Sequence, residues 1–171
     1  MVQLLIVRHA IAEDRAQAAR QGLEDAERPL TKKGIRRMQS IAVAIARQLP
    51  GPLTLLSSPL LRARQTAELL AAHSPGSAIT LEAALSPGTP MAQLIERLQQ
   101  YDEKGTVVVV GHEPMLSDLT ALLLFGREDA SFQLKKGGAA LLAFPRRIEA
   151  AGATLMWLLT PKQLRTIGEA D

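Results

Sequence analysis

Two of the three histidines in this 171-residue chain stand directly behind its most strand-like segments. Leu4-Leu5-Ile6-Val7 runs into Arg8-His9, and Thr106-Val107-Val108-Val109-Val110 runs into Gly111-His112. Unbroken aliphatic runs suit strands buried on both faces, as in a parallel sheet, and open α/β sheets hold ligands beyond the carboxyl ends of such strands. A further candidate, Arg62, falls where Ser58-Pro59 reads as the opening of a helix. A helix start already carries free amides and a partial positive charge, so an arginine there is badly placed unless an anion offsets it. Arg8, His9, Arg62 and His112 together offer two guanidinium groups and two imidazoles at one sheet edge. Guanidinium forks match the oxygens of a phosphoryl group and stabilise the charge of its transfer, and imidazole can be the attacking group. Singly, each residue has a plain structural reading: Arg8 in a surface ion pair, His9 as a satisfied boundary histidine. The recurrence of a strand ending in histidine favours chemistry.

Absences narrow the alternatives. The chain has no cysteine, which removes disulfides and thiolate metal sites. It has no glycine-rich phosphate loop, and no serine in the nucleophile-elbow pattern. Two histidines could bind zinc, yet the arginines beside them would repel the cation and no third ligand is evident. The expectation is a site without metal or other cofactor. His73 sits where a histidine complements a helix C-terminus, and Arg64 is spaced to pair with Glu68. Among the acids, Glu13 and Asp14 lie close in sequence to Arg8-His9, and Glu113 follows His112. Each also reads as a favourable charge at a helix start.

Holding these groups at one edge takes alternating strands and helices, and the chain supplies them. At this length it is most simply a single domain over residues 1–171. Its net charge of +3 is interspersed and only 3% of residues are aromatic, so stacking platforms for bases are scarce and nucleic acid is not an expected partner. No apolar run approaches the roughly 20 residues that span a bilayer, and the chain start lacks the pattern of a secretory signal. A cytoplasmic protein without a membrane partner is expected.

Residues 11–29 form a long, charge-rich connection, of a kind that is usually functional or mobile, with a short helix over residues 12–20. Thr31 can cap the next helix while Leu30 staples against Ile35. Ile35, Met38, Ile41, Ala42, Ile45 and Leu49 keep helical spacing until Pro50-Gly51-Pro52. Residues 53–57 read as a strand, after which Ser58 is expected to cap a helix with Pro59 in its first position. A third strand over residues 79–81, a helix over 91–101 and a helix behind His112-Glu113-Pro114 continue the alternation. Residues 138–144 and 153–159 read as a hairpin, and Thr160-Pro161 opens a last helix burying Leu164 and Ile167. The expected fold is a three-layer αβα architecture, with a mainly parallel sheet and a C-terminal antiparallel hairpin.

Val7-Arg8-His9-Ala10, Ser57-Ser58-Pro59-Leu60-Leu61-Arg62-Ala63-Arg64-Gln65-Thr66-Ala67 and Val110-Gly111-His112 resemble, in this order, the motifs of the histidine phosphatase superfamily and its phosphoglycerate-mutase-like fold. The small chain, Pro29-Leu30-Thr31-Lys32-Lys33-Gly34 and the late hairpin ending near Trp157 to Pro161 resemble the SixA phosphohistidine phosphatase branch. The resemblance implies that His9 attacks the phosphoryl group and becomes phosphohistidine, with Arg8, Arg62 and His112 holding the oxygens before water releases phosphate. It implies a phosphohistidine-bearing protein as substrate and no metal or other cofactor. Ala10 departs from the family's usual glycine, so either its φ is negative or its methyl narrows the pocket. Many relatives in the family it resembles that act on small phosphate esters carry an acidic proton donor after the third strand. Here that stretch is Leu85-Ser86-Pro87-Gly88-Thr89, which leaves Glu13, Asp14, Glu82 and Glu113 as candidates. Two other functions stay open: a small-molecule phosphomonoesterase using the same pocket, and a noncatalytic anion-binding module.

Overall fold

The structure is a computed structural model describing residues 1–101 and 105–170. Strand β1 (Val2–Arg8) lies near the middle of a six-stranded sheet with β2 (Thr54–Ser57), β3 (Ala78–Leu81), β4 (Thr106–Gly111), β5 (Ala139–Phe144) and β6 (Thr154–Leu159). The order is β3-β2-β4-β1-β5-β6. The first four strands run parallel, while β5 is antiparallel to β1 and β6 to β5. This is the expected parallel sheet with its late hairpin.

Period-two alternation splits each central strand between two apolar layers. Leu5, Val7, Val108 and Val110 face a layer formed by α2 (Lys32–Gln48), α3 (Leu61–Ala72) and α6 (Pro161–Glu169). Leu4, Ile6, Val107 and Val109 face α4 (Met91–Leu98) and α5 (Met115–Phe125). Both faces are covered, which is why these strands read as continuous aliphatic runs.

Local capping chemistry sets several helix starts. Asp14 Oδ1 accepts from Gln17 N at 3.0 Å and caps the short α1 (Arg15–Arg20). Thr31 Oγ1 accepts from Gly34 N at 2.9 Å, and Thr160 with Gln163 forms a capping box on α6. Gly34 also has a tertiary reason: a Cβ there would stand 2.1 Å from the Ile11 carbonyl oxygen. Gly168 is the equivalent on α6, where a Cβ would meet Ser40 O at 1.9 Å.

The start of α3 differs from expectation. Ser58 is not its cap and Pro59 is not its first residue; the helix begins at Leu61 after Leu60, with no side-chain cap. The Ser58 hydroxyl is engaged with His112 Nε2 and Leu60 N instead. The helix expected over residues 91–101 is α4 followed by a 3₁₀ turn, Gln99–Tyr101. Among the described residues, no helix is long and apolar enough to cross a membrane.

Candidate active site

Strand register assembles the site. Arg8 pairs with Gly111 across β1 and β4, so His9 and His112 leave neighbouring strand ends at the same level. Ser57 pairs with Val110, which brings the β2 to α3 junction and Arg62 to the same edge. The His9 and His112 ring centroids are 5.1 Å apart at an interplanar angle of 52°.

Each of the four groups is fixed on one side and free on another. His9 Nδ1 lies 2.7 Å from Ala10 O. A carbonyl can only accept, so Nδ1 carries the hydrogen and Nε2 keeps its lone pair. Burial, reinforced by the charges of Arg62 and Arg8, lowers the His9 pKa to about 3 against the opposing effect of the Ala10 hydrogen bond. The ring is neutral at neutral pH and its Nε2 is a competent nucleophile. Arg8 Nη1 donates to Leu134 O at 2.7 Å, while its Nε is buried with no protein partner. His112 is held through Nε2, 2.8 Å from Ser58 Oγ, and its Nδ1 is buried without a partner. Its pKa falls to about 4, first through burial and then through Arg62.

Arg62 is 3% exposed on the first turn of α3, and the anion that offsets it is Asp25. Arg62 Nη1 donates to Asp25 O at 2.8 Å and Nη2 to Asp25 Oδ2 at 3.2 Å, with Nε unpartnered. Asp25 Oδ1 also accepts from Arg15 Nε at 3.0 Å and Arg28 Nε at 2.9 Å. Partial burial pushes its carboxyl up, but the charges of Arg62, Arg28 and Arg15 outweigh this and hold it below the usual range. Thr66 ties two junctions together, accepting from Ala10 N at 3.0 Å and donating to Arg62 O at 2.7 Å. Sequence reasoning missed Asp25 and Thr66. The one signal for Asp25 was the uncompensated charge of Arg62, which required an acid without saying which.

The candidate acids separate. Glu13, Asp14 and Glu113 line a cavity of about 500 Å³ together with Arg8, His9, Arg62, His112 and Asp25. Asp14 is also occupied as the α1 cap. Glu113 accepts from the Ser117 hydroxyl and from Leu134 N, and burial raises its carboxyl despite these bonds and Arg8. Glu82 is not among the cavity's lining residues: it accepts from Ala84 N at 3.1 Å and from Arg97 Nε at 2.9 Å. Ala10 avoids the left-handed region, where Ala151 is the only non-glycine among the described residues. Its methyl does not line this cavity. Arg64 pairs with Glu68 at 3.4 Å, and His73 Nδ1 lies 3.0 Å from Leu69 O at the end of α3. Among the described residues, no group of three or more His, Cys, Asp or Glu side chains is gathered to hold a metal ion.

The arrangement presents one imidazole lone pair in a cavity that two arginines and a second imidazole also line. That set can accept a phosphoryl group on Nε2 while the surrounding donors take up the charge on its oxygens.

The sequence profile of the histidine phosphatase superfamily (branch 1) matches residues 4–86, the span that carries Arg8, His9 and Arg62. An uncharacterised protein of Picosynechococcus sp. is 36% identical over 167 residues, covering 95% of this chain and 99% of its own. The solved structure of the protein histidine phosphatase SixA complexed with tungstate superposes with a TM-score of 0.79 and 26% identity, over 95% of this chain and 99% of its own. A phosphoserine phosphatase from Entamoeba histolytica reaches a TM-score of 0.68 at 19% identity, over 96% of this chain and 100% of its own, which is a likeness of fold alone. The profile and the SixA structure agree: the chain belongs to the histidine phosphatase superfamily.

Proposed function

We propose that the protein is a phosphatase that removes phosphate from phosphohistidine on a protein through a covalent intermediate on His9. The observation that carries the covalent step is the His9 tautomer: Nδ1 donates to Ala10 O, leaving a neutral ring with a free Nε2 in the arginine-lined cavity. Nε2 attacks phosphorus, the bond to the substrate's ring nitrogen breaks, and the departing imidazole takes a proton. Water then attacks phosphorus, breaks the Nε2–P bond and leaves phosphate and neutral His9. Arg8, Arg62 and His112 donate to the oxygens in both steps.

The choice of a phosphohistidine protein rests on leaving-group chemistry and on the likeness to SixA across nearly the whole chain. Imidazole, with a conjugate-acid pKa of about 6.5, departs far more readily than an alkoxide and asks less of a proton donor. One observation favours a second reading: the Glu113 carboxyl, raised by burial, lines the cavity and could protonate an ester's leaving oxygen. Turnover of a phosphohistidine-bearing protein compared with small phosphate esters, for the wild type and Glu113→Gln, tests the choice. A large preference for the phosphoprotein, little affected by Glu113→Gln, is expected. Equal efficiency on an ester, lost in Glu113→Gln, would make the protein a phosphomonoesterase. Binding of phosphate with no labelling of His9 in rapid quench would leave only an anion-binding module.

A further inference from the structure

Beyond the catalytic cavity, on the other side of the chain leaving His9, lies a second cavity of about 220 Å³ between α2, α6 and the segment before β5. Five cations line it: Arg37, Lys135, Lys136, Lys162 and Arg165. No carboxylate lines it, and among the described residues none of the five is in an ion pair. Arg165 Nε is buried and has no hydrogen-bond partner. Lys162 and Arg165 lie in the first two turns of α6, whose first turn holds no acid. Positive charge there is unfavourable for the same reason as at Arg62, and here no carboxylate offsets it. Five like charges around one concavity repel one another, an expense that a bound anion reverses.

We infer that this cavity binds a phosphate-type oxyanion, separately from the phosphoryl group on His9. Its volume is below the several hundred Å³ typical of sites for larger organic ligands, so it suits a single phosphate group. Met38 and Ile41 form part of the lining and lower the local polarity, which strengthens the ionic hydrogen bonds of an anion held there. The site is joined to the catalytic one. Lys136 lines both cavities, and Gly137 N donates to Arg8 O at 3.1 Å and His9 O at 3.2 Å. The ligand is therefore either a free phosphate or the second phosphate of a molecule reaching into both cavities.

Calorimetric titration with inorganic phosphate tests the inference without requiring turnover, so its result is independent of the reaction assigned to His9. The wild type should bind two equivalents. Arg37→Gln/Arg165→Gln should weaken one of them by at least about tenfold, the loss expected for removing charged hydrogen bonds, while Arg62→Ala weakens the other. Lys135→Ala/Lys162→Ala, which alters only exposed side chains, replaces the first variant if that one fails to fold. One equivalent in the wild type that is weakened by Arg62→Ala and not by the substituted pair, or two that are indifferent to that pair, overturns the inference. A flexible alkyl bisphosphate separates the sources: tenfold tighter binding than a monophosphate, lost with the substituted pair, marks a bridging ligand, and no advantage marks a free anion.

Discussion

Removing the Ser58 hydroxyl should disable His112 without touching the cavity wall. Ser58 is fully buried, its Oγ lies 2.8 Å from His112 Nε2, and Leu60 N donates to the same oxygen at 3.3 Å. Leu60 N is itself a donor, so among the described residues His112 Nε2 is the acceptor for the Ser58 hydroxyl proton, and in that arrangement the hydrogen of neutral His112 sits on Nδ1. That nitrogen is buried and unpartnered, the one on this ring available to a phosphoryl oxygen. In Ser58→Ala, Nε2 and Leu60 N lose their partner, and the ring is free to flip or shift its hydrogen. Leaving a buried polar group unsatisfied costs about 1–3 kcal/mol, equivalent to a fall of roughly 5- to 150-fold if the loss is felt in the transition state. We expect kcat/KM to fall by about 10- to 100-fold, within that range, with the melting temperature lowered by only a few degrees. The assay is steady-state turnover of the phosphoprotein in a double-mutant cycle with His112→Ala. Ser58→Ala should cost little in the His112→Ala background, because its effect runs through that ring. Full additivity, or wild-type activity for Ser58→Ala alone, would refute the reasoning.

Arg62→Ala should lower turnover by about 100- to 1000-fold, as for other preorganised donors, with Arg64→Ala near wild type; equal losses would mean that the two arginines share the role. Asp25→Ala, which frees Arg62, Arg28 and Arg15 from their common anchor, should lower kcat/KM by about tenfold through misplaced guanidinium groups, and structures of the variant would show Arg62 displaced. Gly34→Ala should destabilise the fold by about 3 kcal/mol in urea unfolding, the upper range for overpacking, because its methyl collides with the Ile11 carbonyl. For pH, the unfolded chain protonates its histidines near 6.5 while folded His9 resists until about 3, so His9 removes stability as pH falls through that window. His9→Asn should lose roughly 1.5 kcal/mol less than wild type between pH 6.5 and 5, read from urea midpoints at the two pH values; identical losses would place the His9 pKa near its ordinary value.

What the chain determined by itself is local or periodic. The β1 and β4 runs are aliphatic because both their faces are covered, and that pattern places Arg8, His9 and His112 at strand ends before any contact is known. Thr31 and Thr160 cap helices three residues away, a reach that sequence alone resolves. The parts decided only by tertiary structure are bonds between distant residues. Asp25 meets Arg62 across 37 positions, Ser58 meets His112 across 54, and Arg8 meets Leu134 across 126. Ser58 illustrates the limit: read locally, a serine before a proline caps a helix, but a buried imidazole brought alongside by the β2 and β4 pairing claims its hydroxyl. Glu82 and Glu113 divide for the same reason, since each carboxylate goes where packing supplies its partners, Arg97 for one and Ser117 and Leu134 N for the other. Side-chain type and spacing fix which groups reach the sheet edge; the partners each group meets there depend on segments whose approach no local pattern encodes.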